Sequence, residues 1–275
     1  MSNHSRIAAN VNDAYFTSPF SAAWCINHLK EREWLTEETT TLEPAVGAGA
    51  LADVPGNVIA TDITDHGYPG TVIEDYLTAP QRNVDLVLTN PPFGRMSSTA
   101  VRFFNKAALD ADRIAFIVPA TFRKASVIDK LHPYFWCVFN EDLPDQLFTL
   151  PDGSKRKVRT IFQMWERRLQ PRVPIRKQVD YKRYFIRIPK PTPDSYSFRT
   201  QGASAGRILP GNDYSPASTA FLVGSQDRVA KHDWTTIASF TAGIPAIGLI
   251  DVAYGLHLEE QGFDIDLYLS KGPLL

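Results

Sequence analysis

Six consecutive residues, Thr89-Asn90-Pro91-Pro92-Phe93-Gly94, carry the most chemistry of any segment in this chain. They follow directly on an apolar run that begins at Val84. An amino group on an aromatic ring is a poor nucleophile, because its lone pair is delocalised into the ring. Two acceptors aimed at its hydrogens favour a pyramidal nitrogen whose lone pair can attack. The side-chain oxygen of Asn90 and the carbonyl of Pro91 are candidates for those acceptors. Pro91 and Pro92 fix φ and bring no competing N–H. Phe93 offers a flat face for the ring, and such stacking is worth roughly 1–3 kcal/mol. Asn90, Pro91, Pro92 and Phe93 are therefore the candidate catalytic residues, set against the plainer reading of a strand that ends in an Asn-Pro-Pro turn.

Three further segments have types suited to holding a ligand. Glu43-Pro44-Ala45-Val46-Gly47-Ala48-Gly49 places two glycines after an expected strand, where backbone can approach a ligand closely. Asp62-Ile63 ends the next run, and a carboxylate there can accept both hydroxyls of a ribose or simply cap a helix. Asp75-Tyr76 supplies an acceptor for a purine amino group and a ring to pack on it, or else an acidic surface turn.

The elements that must position these residues follow from periodicity. Residues 19–34 read as a helix, with Ser18 at the cap and Pro19 at the first helical position. Strands are expected at Thr39–Glu43, Asn57–Thr61, Val84–Thr89, Arg113–Val118, Phe135–Asn140 and Val158–Trp165. Helices are expected at Ala100–Asp110 and Thr121–Leu131, and a turn at Pro151-Asp152-Gly153. Near-continuous apolar strands alternating with helices imply a mostly parallel sheet covered on both faces. In such sheets ligands sit beyond the carboxyl ends of the strands, which is where Gly47, Gly49, Asp62, Asp75 and Asn90 fall. Only seven residues separate Gly49 from Asn57, so any helix between them is very short. The turn His66-Gly67-Tyr68-Pro69-Gly70 stands where a second helix would lie. From about Leu169 prolines punctuate the chain, residues 195–225 are rich in Gly, Ser and Pro, and 236–262 suggests one or two helices around Pro245.

Hydrophobic residues at 44% and charged residues at 21% of 275 are enough to bury a sizeable core. Cys25 and Cys137 are too few and too far apart for a disulfide framework, which implies reduced thiols and a cytoplasmic setting. The six histidines show no metal spacing, so no metal is expected. No apolar run approaches the roughly 18 residues of a membrane span, so no membrane partner is expected. The net charge of −1 excludes a general polyanion coat, yet residues 154–190 hold 13 Lys or Arg against only Glu166 and Asp180. Aromatics Phe162, Trp165, Tyr181, Tyr184 and Phe185 are interleaved with them. Lys155, Arg156, Lys157, Arg159, Lys182 and Arg183 are accordingly candidate nucleic-acid contacts, the alternative being a solvated basic face.

This set of segments resembles the class I S-adenosylmethionine-dependent amino-methyltransferases, and within them the gamma-class DNA adenine-N6 enzymes. Tyr15-Phe16-Thr17-Ser18-Pro19 is similar to that group's opening motif, Glu43-Pro44-Ala45 to its motif I, Asp62, Asp75 and Asn90–Phe93 to motifs II, III and IV. Phe116–Thr121 and Thr160–Trp165 are similar to motifs VI and VIII. The resemblance implies a Rossmann-like α/β sheet of seven strands over residues 1–168, with a small C-terminal α+β lobe over 169–275 that contacts substrate. It implies that Tyr15, Thr17, Glu43, Ala45, Gly47, Gly49, Asp62, Ile63, Asp75, Tyr76 and Asn90 bind S-adenosyl-L-methionine. It also implies that Asn90 to Phe93 grip a flipped adenine for methylation at N6. DNA is the expected substrate, as in restriction-modification or phage DNA modification. RNA adenine is the alternative, and a protein glutamine amide a more distant one. The residues leave the oligomeric state open.

Overall fold

The computed structural model describes residues 15–209, 218–241 and 244–273. His4 and residues 210–217 of the Gly/Ser/Pro-rich segment lie outside them. The described chain forms two compact units, one from residues 15–119 and 134–169, the other from 120–133 and the residues after 169.

The first unit contains α1 (Pro19–Glu31), β1 (Thr40–Glu43), β2 (Asn57–Asp62), β3 (Val72–Ile73), β4 (Val84–Thr89), α2 (Ser98–Asp110), β5 (Ala111–Pro119), β6 (Phe135–Asp142), β7 (Leu147–Thr149), β8 (Lys155–Lys157) and β9 (Thr160–Arg167). Seven strands make one sheet in the order β3-β2-β1-β4-β5-β9-β6. The pairs β3-β2, β2-β1, β1-β4 and β4-β5 are parallel, and β9 runs antiparallel between β5 and β6. This is the α/β architecture with a seven-stranded, mostly parallel sheet that the sequence implies.

Successive strand residues face opposite sides, which sorts the core into two layers. Leu86, Leu88, Ala115, Ile117, Phe162 and Met164 pack with Ala22, Cys25, Ile26 and Leu29 of α1. Residues out of step with these lie on the α2 side: Phe104 meets Phe116 and Trp165 edge-on at 5.9 and 5.2 Å. Helix α1 starts where expected, with Ser18 Oγ accepting from Ser21 N at 3.2 Å and a proline in the first turn. No helix forms between Gly49 and Asn57. In place of a covering helix, Tyr68 packs on Val46, Ala52 and Ala60, so one side chain from the turn closes that part of the sheet. Strands β7 and β8 pair as a separate hairpin around the expected Pro151–Gly153 turn.

The second unit contains α3 (Ala125–Ile128), α4 (Ile175–Gln178), β10 (Ile186–Ile188), β11 (Tyr196–Arg199), β12 (Ile208–Leu209), β13 (Thr219–Val223), α5 (Gln226–Ala230), α6 (Thr235–Ala238), α7 (Leu249–Glu260) and α8 (Ile265–Lys271). Its antiparallel sheet has the order β10-β13-β11-β12. The helix expected over Thr121–Leu131 is instead a 3-10 turn at Ala120–Arg123 followed by the four residues of α3. Hydrogen bonds explain why this segment groups with the later residues. Asp251 Oδ1 accepts from Ala125 N at 3.0 Å, Asp129 Oδ1 accepts from Ile175 N at 2.6 Å, and the Arg172 guanidinium reaches the carbonyls of Ile128, Leu131 and His132. The division therefore differs from a single cut at 168/169 in this segment and in placing Leu169 with the first unit. Among the described residues no helix is long and apolar enough to cross a membrane.

Candidate active site at the carboxyl ends of β1 and β4

Strand order reverses where β1 and β4 lie side by side, with Leu42 opposite Val87. At such a switch point the loops leaving the two strands diverge and open a crevice. The loop after β1 is Pro44–Gly49 and the loop after β4 is Asn90–Gly94.

Hydrogen bonds hold the first loop. Val46 N donates to Thr61 O at 3.0 Å, and Gly47 N donates to Asp62 Oδ2 at 2.9 Å. Gly49 sits at φ +88°, and a Cβ there would lie 2.1 Å from the Tyr68 ring. The turn that replaces the second helix thus presses directly on this glycine, and no larger residue fits.

The two loops line a half-open cavity. Tyr15, Thr17, Glu43, Ala45, Gly47 and Asn90 line it, all of them anticipated from the sequence. Phe16, Val46, Ala48, Ala50 and Leu51 also line it. Of these, Phe16, Val46 and Ala48 lie inside the motifs but carry no polar group to mark them. Ala50 and Leu51 have no sequence signal beyond proximity to the glycines.

Asn90 is the most informative residue of the cavity. Its Nδ2 donates to the Tyr15 carbonyl at 2.7 Å and to Thr17 Oγ1 at 3.0 Å. A carbonyl can only accept, so this pairing fixes which end of the amide faces Tyr15. Asn90 Oδ1 is buried and has no hydrogen-bond partner among the described residues. Leaving such an acceptor unpaired costs about 1–3 kcal/mol. Pro91 is buried as well, and its carbonyl receives no donor among the described residues. Pro92 is partly exposed beside it. After Phe93 the backbone is strained: Gly94, Met96 and Ser97 all have positive φ, at +67°, +53° and +62°. Strain of this kind clusters at functional loops.

Glu43 is 1% exposed at the end of β1. Burial pushes its carboxyl up to about 8, against the hydrogen bond that Oε1 accepts from Ala45 N at 3.1 Å. A cationic group placed in the cavity would reverse that shift.

Other anticipated residues sit elsewhere. Asp62 braces the glycine loop, with Oδ1 on Thr64 N at 3.0 Å and Oδ2 on Gly47 N. Its carboxylate keeps lone pairs for further donors. Ile63 is 44% exposed, and Asp75 uses Oδ1 to accept from Leu77 N at 3.0 Å. Tyr76 is a correction: it is 1% exposed, its hydroxyl donates to Asp110 Oδ2 at 2.8 Å, and its ring packs on Phe103. Its apolar body is consumed by the α2 side of the core, and it is not among the residues lining this cavity. Phe93 is 6% exposed, with Tyr15 stacked on it, so its face is not open as expected.

The basic candidates separate in the same way. Lys155, Arg156 and Lys157 form β8 and are exposed, without an acidic partner among the described residues. Arg159 is close to Asp142 at 3.7 Å. Lys182 and Arg183 belong to the second unit, where Arg183 pairs with Glu260 at 3.2 Å. Elsewhere in the basic run Arg167 pairs with Asp112, Arg168 with Glu166 and Arg176 with Asp129. Folding thus supplies Asp112 and Asp129, acids that the linear count omits.

No family model matches the chain, and no curated protein matches it. Among solved structures, a candidate RNA methyltransferase from Pyrococcus horikoshii is 15% identical over 57% of this chain and 88% of its own, with a TM-score of 0.47. The modification subunit of a candidate type I restriction enzyme from Vibrio vulnificus is 17% identical over 58% and 46%, with a TM-score of 0.42. The 23S rRNA methyltransferase ErmE is 18% identical over 58% and 72%, with a TM-score of 0.39. At these values the likeness assigns neither activity nor substrate to this chain.

Proposed function

We propose that this protein transfers a methyl group from S-adenosylmethionine to N6 of an adenine in nucleic acid, with DNA the favoured substrate. One observation carries the reading. The Asn90 amide is locked by Tyr15 and Thr17 so that Oδ1 is left buried and unpartnered beside the cavity. A side chain held in that state is preorganised to accept a hydrogen from a ligand, with little reorganisation at the moment of reaction.

The cavity residues fit the methyl donor. Glu43, with its carboxyl raised by burial, favours a cationic group such as the donor's ammonium. Thr17 adds a hydroxyl, and Ala45, Gly47 and Ala48 leave backbone close to the ligand. When bound, the donor supplies an electrophilic methyl carbon on a sulfonium. Asn90 Oδ1 and the Pro91 carbonyl each accept one hydrogen of the substrate amine, which localises its lone pair. The amine so held would take up that methyl group, and its extra proton would then leave the nitrogen for water. Holding the two partners in line supplies most of the rate. The exposed cations of β8 suit a phosphate backbone.

The test incubates the protein with methyl-labelled donor and a panel of duplex DNA, single-stranded DNA, RNA and protein, with the product base identified by mass spectrometry. N6-methyladenine in DNA is the expected result. The same base in RNA alone would move the substrate assignment. Methylated glutamine, or no transfer to any of them, would overturn the reading.

A further inference from the structure

This inference rests on Asn90–Phe93 as the grip for an aromatic amine and identifies the slot the ring enters. The Tyr15 ring stacks on Phe93, with centroids 5.2 Å apart and planes 18° from parallel. Phe148 meets it edge-on at 5.9 Å, and the Arg156 guanidinium lies over it at 6.0 Å. Tyr15 thus holds the position on Phe93 that a substrate ring would need.

The main chain beneath that ring is anchored. The Tyr15 carbonyl accepts from Asn90 Nδ2, and Phe16 N donates to Thr149 O at 2.9 Å on the β7–β8 hairpin. Both bonds are made by main-chain atoms of Tyr15 and Phe16, so they do not depend on the side-chain torsions of Tyr15. The same hairpin carries Arg156, an exposed cation without an acidic partner among the described residues.

We infer that the Tyr15 ring is a stand-in for the target base: the slot bounded by Phe93, Phe148 and Arg156 receives the purine, and Tyr15 swings out as it enters. Arg156 then lies over the purine in place of the tyrosine, within reach of the strand that carries it. A ligand must bring both a stacking ring and a nearby phosphate to displace Tyr15, so the device selects polynucleotide over free base.

The experiment compares two labelled single strands by fluorescence anisotropy, with the donor cavity saturated by S-adenosylhomocysteine. One strand is all thymidine and the other carries a single central adenosine. The ratio of their dissociation constants reads the slot. Tyr15→Ala is expected to raise the preference for the adenosine strand about fivefold, within the range set by loss of one competing aromatic stack. Adding Phe93→Ala should cancel the gain, and adding Arg156→Gln should reduce it. Tyr15→Leu, which keeps an apolar contact with Phe148 but cannot stack, serves if the alanine variant does not melt cooperatively. An unchanged or lower preference in the Tyr15 variants would overturn the slot assignment. Should wild-type protein still methylate adenine in that case, the proposed reaction stands and only the slot fails. If Phe93→Ala alters nothing and no substrate is methylated, the reading of Asn90–Phe93 fails with it.

Discussion

Arg183, Arg228, Lys231 and His232 of the second unit converge on Glu259 and Glu260, whereas Lys155, Arg156 and Lys157 of the β8 hairpin meet no acid among the described residues. Hydrogen bonds from Lys231 and Arg228 hold the Glu259 carboxyl down to about 2. Two buried polar side chains differ in the same way. Asp251 in the second unit satisfies both carboxylate oxygens, on Ala125 N and Gly248 N, with Lys124 near by. Asn90 in the first unit satisfies its amide nitrogen and leaves its oxygen open. What separates each pair is whether folding supplies a partner.

The largest effect expected from this contrast is on stability. Asp251→Ala removes a buried carboxylate and leaves two donors, Ala125 N and Gly248 N, without their acceptor. A loss of about 2–5 kcal/mol is expected in urea denaturation. A loss under about 1 kcal/mol would mean that the second unit is not built on this carboxylate.

Asn90→Ala comes next, lowering kcat for methyl transfer by about 10²–10³, by analogy with removal of one preorganised hydrogen-bond partner. Calorimetry should show that the donor still binds. Wild-type turnover in this variant would show that the open oxygen has no catalytic role.

Third in size is the response to charge removal. Replacing Lys155, Arg156 and Lys157 together with Gln should flatten the plot of log affinity against log salt by about 2–3 units on nucleic acid. Lys182→Gln with Arg183→Gln should change it by about one unit or less. Equal effects from both sets would erase the distinction between the two units.

The smallest effect concerns Glu43. Its folded carboxyl titrates near 8, above the usual range, so it is protonated at pH 7 in the free protein. A cationic donor favours the ionised form, so binding should release close to one proton, readable by calorimetry in buffers of different ionisation enthalpy. The sign for folding is fixed by the same shift. The folded state holds this proton more tightly, so the contribution of Glu43 to stability is full below about pH 4 and is lost as pH rises to about 8. Glu43→Gln should remove both effects.

Strands β4 and β5 were legible in the sequence because buried strands read as near-continuous apolar runs, and β1, β2, β6 and β9 because their β-branched and aromatic residues stand out between turn residues. The β7–β8 hairpin was not, since Lys155-Arg156-Lys157 has no apolar alternation to mark a strand. Nor did the helical pattern of Thr121–Leu131 survive as one helix: its local turns are interrupted where Ala125 N and Asp129 Oδ1 bond to residues more than forty positions away.

Local sequence determined that a prolyl Asn-Pro-Pro turn would follow a buried strand and that a glycine loop would stand beside it, because strand burial and proline geometry act within a few residues. Only the tertiary structure decided that the Asn90 amide would pair its nitrogen and leave its oxygen open, that Tyr76 would be core, and that Tyr15 would stack on Phe93. Those outcomes depend on partners distant in the chain, such as Tyr15 and Thr17 for Asn90 and Asp110 for Tyr76, and pairing at such separations leaves no periodic trace along the sequence.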